Sequence, residues 1–283
     1  MKLSGRNTLI TGGSQGLGRH IVEAFLAEGA NVLFCARTAA DVAQTQAALK
    51  PGLKSGQQLA GLTCDIADPA SVAALFARAA QLGPLHAVVN NAGIYGPIGP
   101  TEDVALAEWT QAWSVNVTGT LLVCQQAVRA MKPLGAGKII NISGGGATNP
   151  MPRFVAYAAT KAAVVRLTET LAEEYRANHI DVNAVAPGAL RTRLTQQVLA
   201  AGPEKAGAEF YAKNKKWADE GAADPKLAAG LCVWLASTES DGVTGKLISA
   251  QWDPWKEPAK FRALATGDVY TLRRIVPEDR PKK

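Results

Sequence analysis

Seven short apolar or β-branched runs separated by longer helix-patterned stretches constrain the fold of this chain more than any other feature. Asn7–Thr11, Asn31–Ala36, Leu59–Cys64, Leu85–Asn90, Lys138–Ser143, Ile180–Ala186 and Lys246–Ser249 read as strands. Between them the spacing predicts helices over Gly16–Glu28, from about Ala39, from Pro69 with Asp68 as N-cap, and over Pro225–Ala236. Val104–Met131 holds one or two more, and a further helix carries Tyr157. Strands joined through helices run parallel, because each crossover returns the chain over a sheet face. The expectation is an α/β fold, a doubly wound parallel sheet in three layers, with its ligand site at the carboxyl ends of the strands. No repeat or low-complexity linker divides the chain, so residues 1–250 read as one domain and 251–283 as a C-terminal extension.

Two stretches point to chemistry. The first strand ends in Thr11-Gly12-Gly13-Ser14-Gln15-Gly16-Leu17-Gly18-Arg19, a glycine-rich turn that opens a helix. Such a turn lets backbone N–H groups approach a pyrophosphate at the positive helix end. The spacing is Gly12-x-x-x-Gly16-x-Gly18 rather than Gly-x-Gly-x-x-Gly. Further on, Tyr157-Ala-Ala-Thr-Lys161 places a phenol and an ammonium four residues apart, on one helix face. A free tyrosine titrates near ~10. The neighbouring cation is expected to bring it down toward neutrality and make an acid/base catalyst without histidine.

These stretches join others in an order that resembles the short-chain dehydrogenase/reductase family. Thr11-Gly-x-x-x-Gly-x-Gly18, Asn90-Asn-Ala-Gly93, Asn116 in Val-Asn-Val-Thr-Gly, Tyr157-x-x-x-Lys161 and Pro187-Gly188-x-x-x-Thr192 carry the resemblance over roughly residues 4–250. It implies a Rossmann-like dinucleotide-binding domain and hydride transfer between a nicotinamide and a carbonyl or alcohol carbon. By that pattern Tyr157 exchanges the substrate proton, Lys161 lowers its pKa and holds the nicotinamide ribose, and Asn116 supports a water relay. Gly12, Ser14, Gln15, Gly16, Leu17 and Gly18 would hold the pyrophosphate end. Asn91, Ala92 and Gly93 would form the cofactor floor, and Asp65 with Ile66 would meet the adenine. Pro187, Gly188 and Thr192 would hold the carboxamide and pyrophosphate side. Residues of about 190–225 correspond to the substrate lid.

Cofactor choice is read after the second strand, where NAD-preferring relatives place a carboxylate on the ribose hydroxyls. This chain has Ala36, Arg37 and Thr38 there. An arginine forks onto a 2′-phosphate with charge-assisted bonds, so NADP(H) is expected over NAD(H).

The chain departs from the family twice. The usual catalytic serine, thirteen residues before the tyrosine, is Gly144 in Asn141-Ile142-Ser143-Gly144-Gly145-Gly146. Ser143 supplies the hydroxyl if the loop shifts its register, and is otherwise a structural serine at a strand end; Thr148 is a further alternative. Loss of one such donor costs about 3 kcal/mol of barrier. The second departure follows the last strand, where Gln251-Trp252-Asp-Pro-Trp255 replaces the family's closing turn. Trp252 and Trp255 read either as pocket walls or as packing residues. Tyr270–Val276 reads as a short strand or a docking segment.

Composition excludes several other classes. Hydrophobic residues make up 47% and charged residues 19% of the 283, enough to bury a sizeable core. Cys35, Cys64, Cys124 and Cys232 lack Cys-x-x-Cys spacing, and His20, His86 and His179 are dispersed, which argues against disulfides and metal. No apolar stretch has the length of a signal peptide core or a membrane span, so a cytoplasmic protein is expected. The net charge is +6, and residues 251–283 hold eight Lys or Arg against five Asp or Glu. No stripe of basic residues with interleaved aromatics suggests nucleic acid. Arg153 and the cations of the 190–225 stretch suit an anionic small substrate or a solvated helix face. Three functional readings remain: an NADP(H)-dependent carbonyl reductase or alcohol dehydrogenase, a specialised 3-oxoacyl-carrier or sugar-nucleotide enzyme, and a catalytically weak cofactor-binding sensor. Relatives pair the helices corresponding to Val115–Met131 and Tyr157–Ala177 into homodimers or homotetramers. Val164, Leu167 and Leu171 fit such a face or a monomer's core.

Overall fold

A computed structural model describes residues 1–276 and Asp279. The strands β1 (Asn7–Thr11), β2 (Asn31–Ala36), β3 (Leu59–Thr63), β4 (Leu85–Asn90), β5 (Gly137–Ile142), β6 (Ile180–Ala186) and β7 (Leu247–Ser249) form one sheet. Their order is β3-β2-β1-β4-β5-β6-β7, and every pairing is parallel. The chain reverses its winding between β1 and β4, so the crevice for a ligand opens above these two strands.

The sheet is buried on both faces, which is why its strands read as nearly continuous apolar runs. Leu9, Leu33, Val88, Ile139 and Val182 enter one core with the helices α3 (Pro69–Ala80) and α5 (Thr120–Met131). Their alternates Ile10, Phe34, Val89 and Ile140 enter the opposite core with α1 (Gly16–Ala27) and α9 (Pro225–Ala236). That alternation is the strand period of two. Local signals set several helix starts. Asp68 accepts from Ala70 N at 3.1 Å and Ser71 N at 3.0 Å with Pro69 following. Asp224 does the same for Lys226 N at 2.9 Å ahead of Pro225.

The expected Val104–Met131 helix divides into α4 (Leu106–Trp113) and α5, joined by a π-helical turn over Ser114–Gly119 that contains Asn116. α6 runs from Val155 to Glu174. The segment expected to act as a lid forms α7 (Arg193–Ala206), kinked at Gly202-Pro203, and α8 (Ala208–Glu220). Val198, Ala206, Phe210 and Tyr211 of the lid pack on Tyr95, Ile98, Met151 and Phe154.

The C-terminal residues are part of the packed structure. Phe261, in a short helix α10 (Pro258–Leu264), is fully buried between Trp234 and Tyr270, with ring centroids at 5.5 and 5.4 Å. Tyr270–Val276 forms no strand: Tyr270 has φ 61 and its carbonyl accepts one bond from Leu247 N at 2.8 Å, which docks the segment along the edge of β7. Val164 and Leu171 lie buried within the core, and only Leu167 of the expected pairing face is partly accessible. No helix among the described residues is long and apolar enough to cross a membrane.

Candidate active site

A cavity of about 1140 Å³ opens along the carboxyl ends of the strands and gathers most of the residues singled out in the sequence. Gly12, Ser14, Gln15, Gly16, Leu17 and Gly18 line one end, with Arg37 after β2 and Asp65 and Ile66 after β3. Asn91, Ala92 and Gly93 line its floor, with Pro187, Gly188 and Thr192 opposite. Ser143, Gly144, Tyr157 and Lys161 meet at its centre, and Arg153 and Trp252 lie toward the lid.

Three expected residues lie elsewhere. Thr38 starts α2 (Ala39–Leu49) outside the cavity lining. Asn116 is buried behind the wall, where its Oδ1 accepts from Ile94 N at 2.9 Å and its Nδ2 donates to Ile94 O and Thr160 Oγ1 at 2.8 and 3.0 Å. A Cβ placed on Gly93 would lie 3.2 Å from Asn116 Oδ1 and 3.5 Å from Lys161 Nζ, so the two side chains share that corner, with no hydrogen bond between them among the described residues. Trp255 is a packing residue and not a pocket wall. Its indole N–H donates to Ala250 O at 3.0 Å, and its ring lies 3.3 Å from where a Cβ of Gly230 would sit in α9.

The glycine turn fits a dinucleotide. A Cβ on Gly18 would fall 2.1 Å from Gly12 O and 2.4 Å from Asn91 Nδ2, so only glycine lets α1 start this close to β1 and the β4 loop. Asn91 Nδ2 donates to Thr11 O and Gly12 O at 3.0 and 3.2 Å, which fixes the turn from below. At the start of α1 there is no side-chain cap and no acidic residue in the first turn. Its first N–H groups and its positive end therefore face the cavity ready for an anion.

Tyr157 and Lys161 project from successive turns of α6 into the cavity. Lys161 Nζ donates to Ile142 O at 2.8 Å and lies 5.7 Å from the centroid of the Tyr157 ring. Burial lowers the Lys161 ammonium from its usual 10.5 to about 8. The expected lowering of the Tyr157 phenol is reversed: burial pushes it above its ordinary value, and the adjacent Tyr95 adds to the rise. Tyr95 is a contact the sequence did not announce, its ring at 4.6 Å and near-perpendicular to that of Tyr157.

Gly144 lies directly beneath the phenol. A Cβ there would sit 2.4 Å from Tyr157 Oη and 3.0 Å from Cζ, so the tyrosine fills the space that a serine side chain at 144 would need. Next to it, Ser143 lines the cavity, and its hydroxyl is buried with no hydrogen-bond partner among the described residues.

Comparisons with known proteins agree with this geometry. The family model for short chain dehydrogenase matches residues 6–202. A short-chain type dehydrogenase/reductase of Picea abies is 34% identical over 255 residues, covering 87% of this chain and 91% of that protein. A 2,5-dichloro-2,5-cyclohexadiene-1,4-diol dehydrogenase of Sphingobium indicum is 35% identical over 250 residues, 88% of this chain and 96% of the other. Among solved structures, a gluconate 5-dehydrogenase from Burkholderia cenocepacia J2315, in complex with NADP and tartrate, superposes with a TM-score of 0.77 at 28% identity over 88% of this chain and 94% of the other. The chain belongs to the short-chain dehydrogenase/reductase family. It is an oxidoreductase that acts on alcohol and carbonyl groups.

Proposed function

We propose that this chain is an NADP(H)-dependent carbonyl reductase or secondary-alcohol dehydrogenase in which Tyr157 exchanges the substrate proton. The observation that carries this reading is the meeting of Tyr157 and Lys161 with the uncapped glycine turn in one cavity. The nicotinamide cofactor, when bound, supplies or takes up the hydride. The protein's own work is positioning and proton transfer. A phenol held protonated by burial is the form needed to donate a proton to a carbonyl oxygen. Lys161, fixed by Ile142 O, places a cation on the same helix face and is suited to hold the cofactor ribose. Asn116 acts by fixing the Ile94 backbone and Thr160 behind that face rather than by touching substrate. The Ser143 hydroxyl, buried and without a partner, is the donor available to polarise the carbonyl in place of the residue at 144.

The NADP(H) preference rests on Ala36 and Arg37. β2 ends without a carboxylate, and the exposed Arg37 lines the cavity where a 2′-phosphate would be recognised. The NADP complex of the Burkholderia relative supports that assignment by analogy. Association into a homodimer or homotetramer through α5 and α6 belongs to the same reading, with Leu167 at the accessible part of α6.

The test follows reduced cofactor absorbance across a panel of ketones with NADPH and NADH. Tyr157→Phe should lower kcat by ~10²–10⁴-fold while the variant still binds cofactor. Ala36→Asp should shift the NADPH/NADH ratio of kcat/KM toward NADH. Full turnover by Tyr157→Phe would sink the proton-transfer reading, and equal use of both cofactors by the wild type would sink the NADP(H) assignment.

A further inference from the structure

The residue four places ahead of Tyr157 is held in an unusual backbone state. Arg153 has φ 71, in the left-handed region that residues other than Gly, Asn and Asp avoid. Its neighbours hold it there: its carbonyl accepts from Gly99 N at 2.9 Å, and Phe154, fully buried, follows as the N-cap residue of α6. A glycine at 153 would remove the strain, so an arginine there calls for a use of the guanidinium.

The stem of that side chain runs toward the lid. Arg153 Cγ lies 3.7 Å from where a Cβ on Gly207, the left-handed glycine joining α7 to α8, would sit. Arg153 lines the cavity, half-buried, and its guanidinium makes no hydrogen bond or ion pair among the described residues. The carboxylates nearby are engaged elsewhere. Glu209 pairs with Lys213 at 2.6 Å, and Asp253 accepts from Ser249 N at 2.6 Å. On the same side, the cavity carries the aromatic and apolar Tyr95, Met151, Phe210, Trp217 and Trp252 beside the polar Glu209, Lys213 and Asn214 and the exposed Arg193. The Tyr95 ring packs on the residue after Arg153 and on the catalytic phenol, 5.2 Å from the ring of Phe154 and 4.6 Å from that of Tyr157.

A guanidinium without a partner among the described residues and a proton donor, lining one cavity with aromatic walls, fit a particular molecule. We propose that Arg153 is a specificity-determining residue and that the substrates are oxo or hydroxy acids with an apolar body, the carboxylate seated on Arg153 and the reacting carbon at Tyr157. The planar fork matches a carboxylate bidentately, and the half-buried setting strengthens the pair relative to water. This rests on the carbonyl/alcohol reading above and adds the class of substrate to it.

Matched ketones that differ only in charge test the assignment: 4-acetylbenzoate against its methyl ester, and levulinate against methyl levulinate. The wild type should favour the acid in kcat/KM by ~10–100-fold, the worth of hydrogen bonds to a charged group. Arg153→Met should collapse that ratio, while Arg153→Lys, with charge but no fork, should keep part of it. Added salt should lower the wild-type ratio. Binding of 4-acetylbenzoate, read from the fluorescence of Trp217 and Trp252, gives a readout independent of turnover. No turnover of either ketone, with the acid bound by wild type and not by Arg153→Met, would overturn the proposed reaction and leave the carboxylate site standing. Turnover without preference for either acid, a ratio unchanged in Arg153→Met, or a loss confined to NADPH affinity would overturn the role of Arg153.

Discussion

Replacing Gly144 with alanine isolates one question, namely whether the phenol depends on the missing side chain. Gly144 sits at φ −169 and ψ 172, extended backbone that any residue adopts, so the substitution introduces no backbone strain. Its nearest contacts all fall on Tyr157. The new Cβ would lie 2.4 Å from Oη, 3.0 Å from Cζ and 3.1 Å from Cε1, so the ring edge as well as its oxygen must retreat, by roughly 1 Å, to reach ordinary contact. Little room exists for that retreat, because Tyr157 is 8% exposed and Tyr95 stands against its ring at 4.6 Å. Overpacking of this kind costs about 1–3 kcal/mol. At roughly 2–4 °C per kcal/mol for a domain of this size, Tm should fall by several degrees. A misplacement of about 1 Å at the reacting group should lower kcat by ~100-fold. The assay is single-turnover and steady-state reduction followed by cofactor absorbance, beside a thermal melt. Gly144→Ser should behave the same way, although it puts a hydroxyl at the position where the family resemblance leads one to expect it. A kcat and Tm equal to wild type in Gly144→Ala, or a gain of activity in Gly144→Ser, would refute the argument that the phenol occupies this space.

Further expectations follow from the same contacts. Ser143→Ala should lower kcat by ~10²–10³-fold if its hydroxyl polarises the carbonyl, and should leave Tm unchanged or raised, since that buried hydroxyl has no partner to lose. A normal kcat in Ser143→Ala would remove it from the mechanism. Burial lowers Lys161 from 10.5 to about 8, so between these values the unfolded chain binds a proton that the native state lacks. Stability owed to this group therefore rises with pH across that window, and Lys161→Met should flatten that arm of a Tm–pH profile. An unaltered slope would contradict the burial argument. Phe261→Ala should cost about 3–5 kcal/mol, measured by urea unfolding, because its ring is fully enclosed by Trp234 and Tyr270. A negligible cost would show that the C-terminal residues are an appendage and not part of the core.

What the sequence determined was whatever depends on neighbours along the chain. Strands buried on both faces are apolar at most positions, so β1, β2, β4 and β6 are visible as short apolar or β-branched runs. Asp68-Pro69 announces a helix start because a cap acts within three residues. The facing of Tyr157 and Lys161 follows from the helical repeat alone.

The tertiary structure decided whatever depends on residues far apart in the chain. Trp255 is a packing residue because Gly230 in α9 leaves room for its ring, and Tyr270 meets the edge of β7 through a backbone bond no periodicity encodes. Spacing alone points the Tyr157 pKa shift downward, whereas burial turns it upward. Lys161 turns to Ile142 O, while Tyr95 and the surrounding core remove water from the phenol. Spacing along a helix fixes which groups can be neighbours. Only packing fixes how much solvent remains between them, and desolvation sets whether a buried phenol titrates above or below its ordinary value.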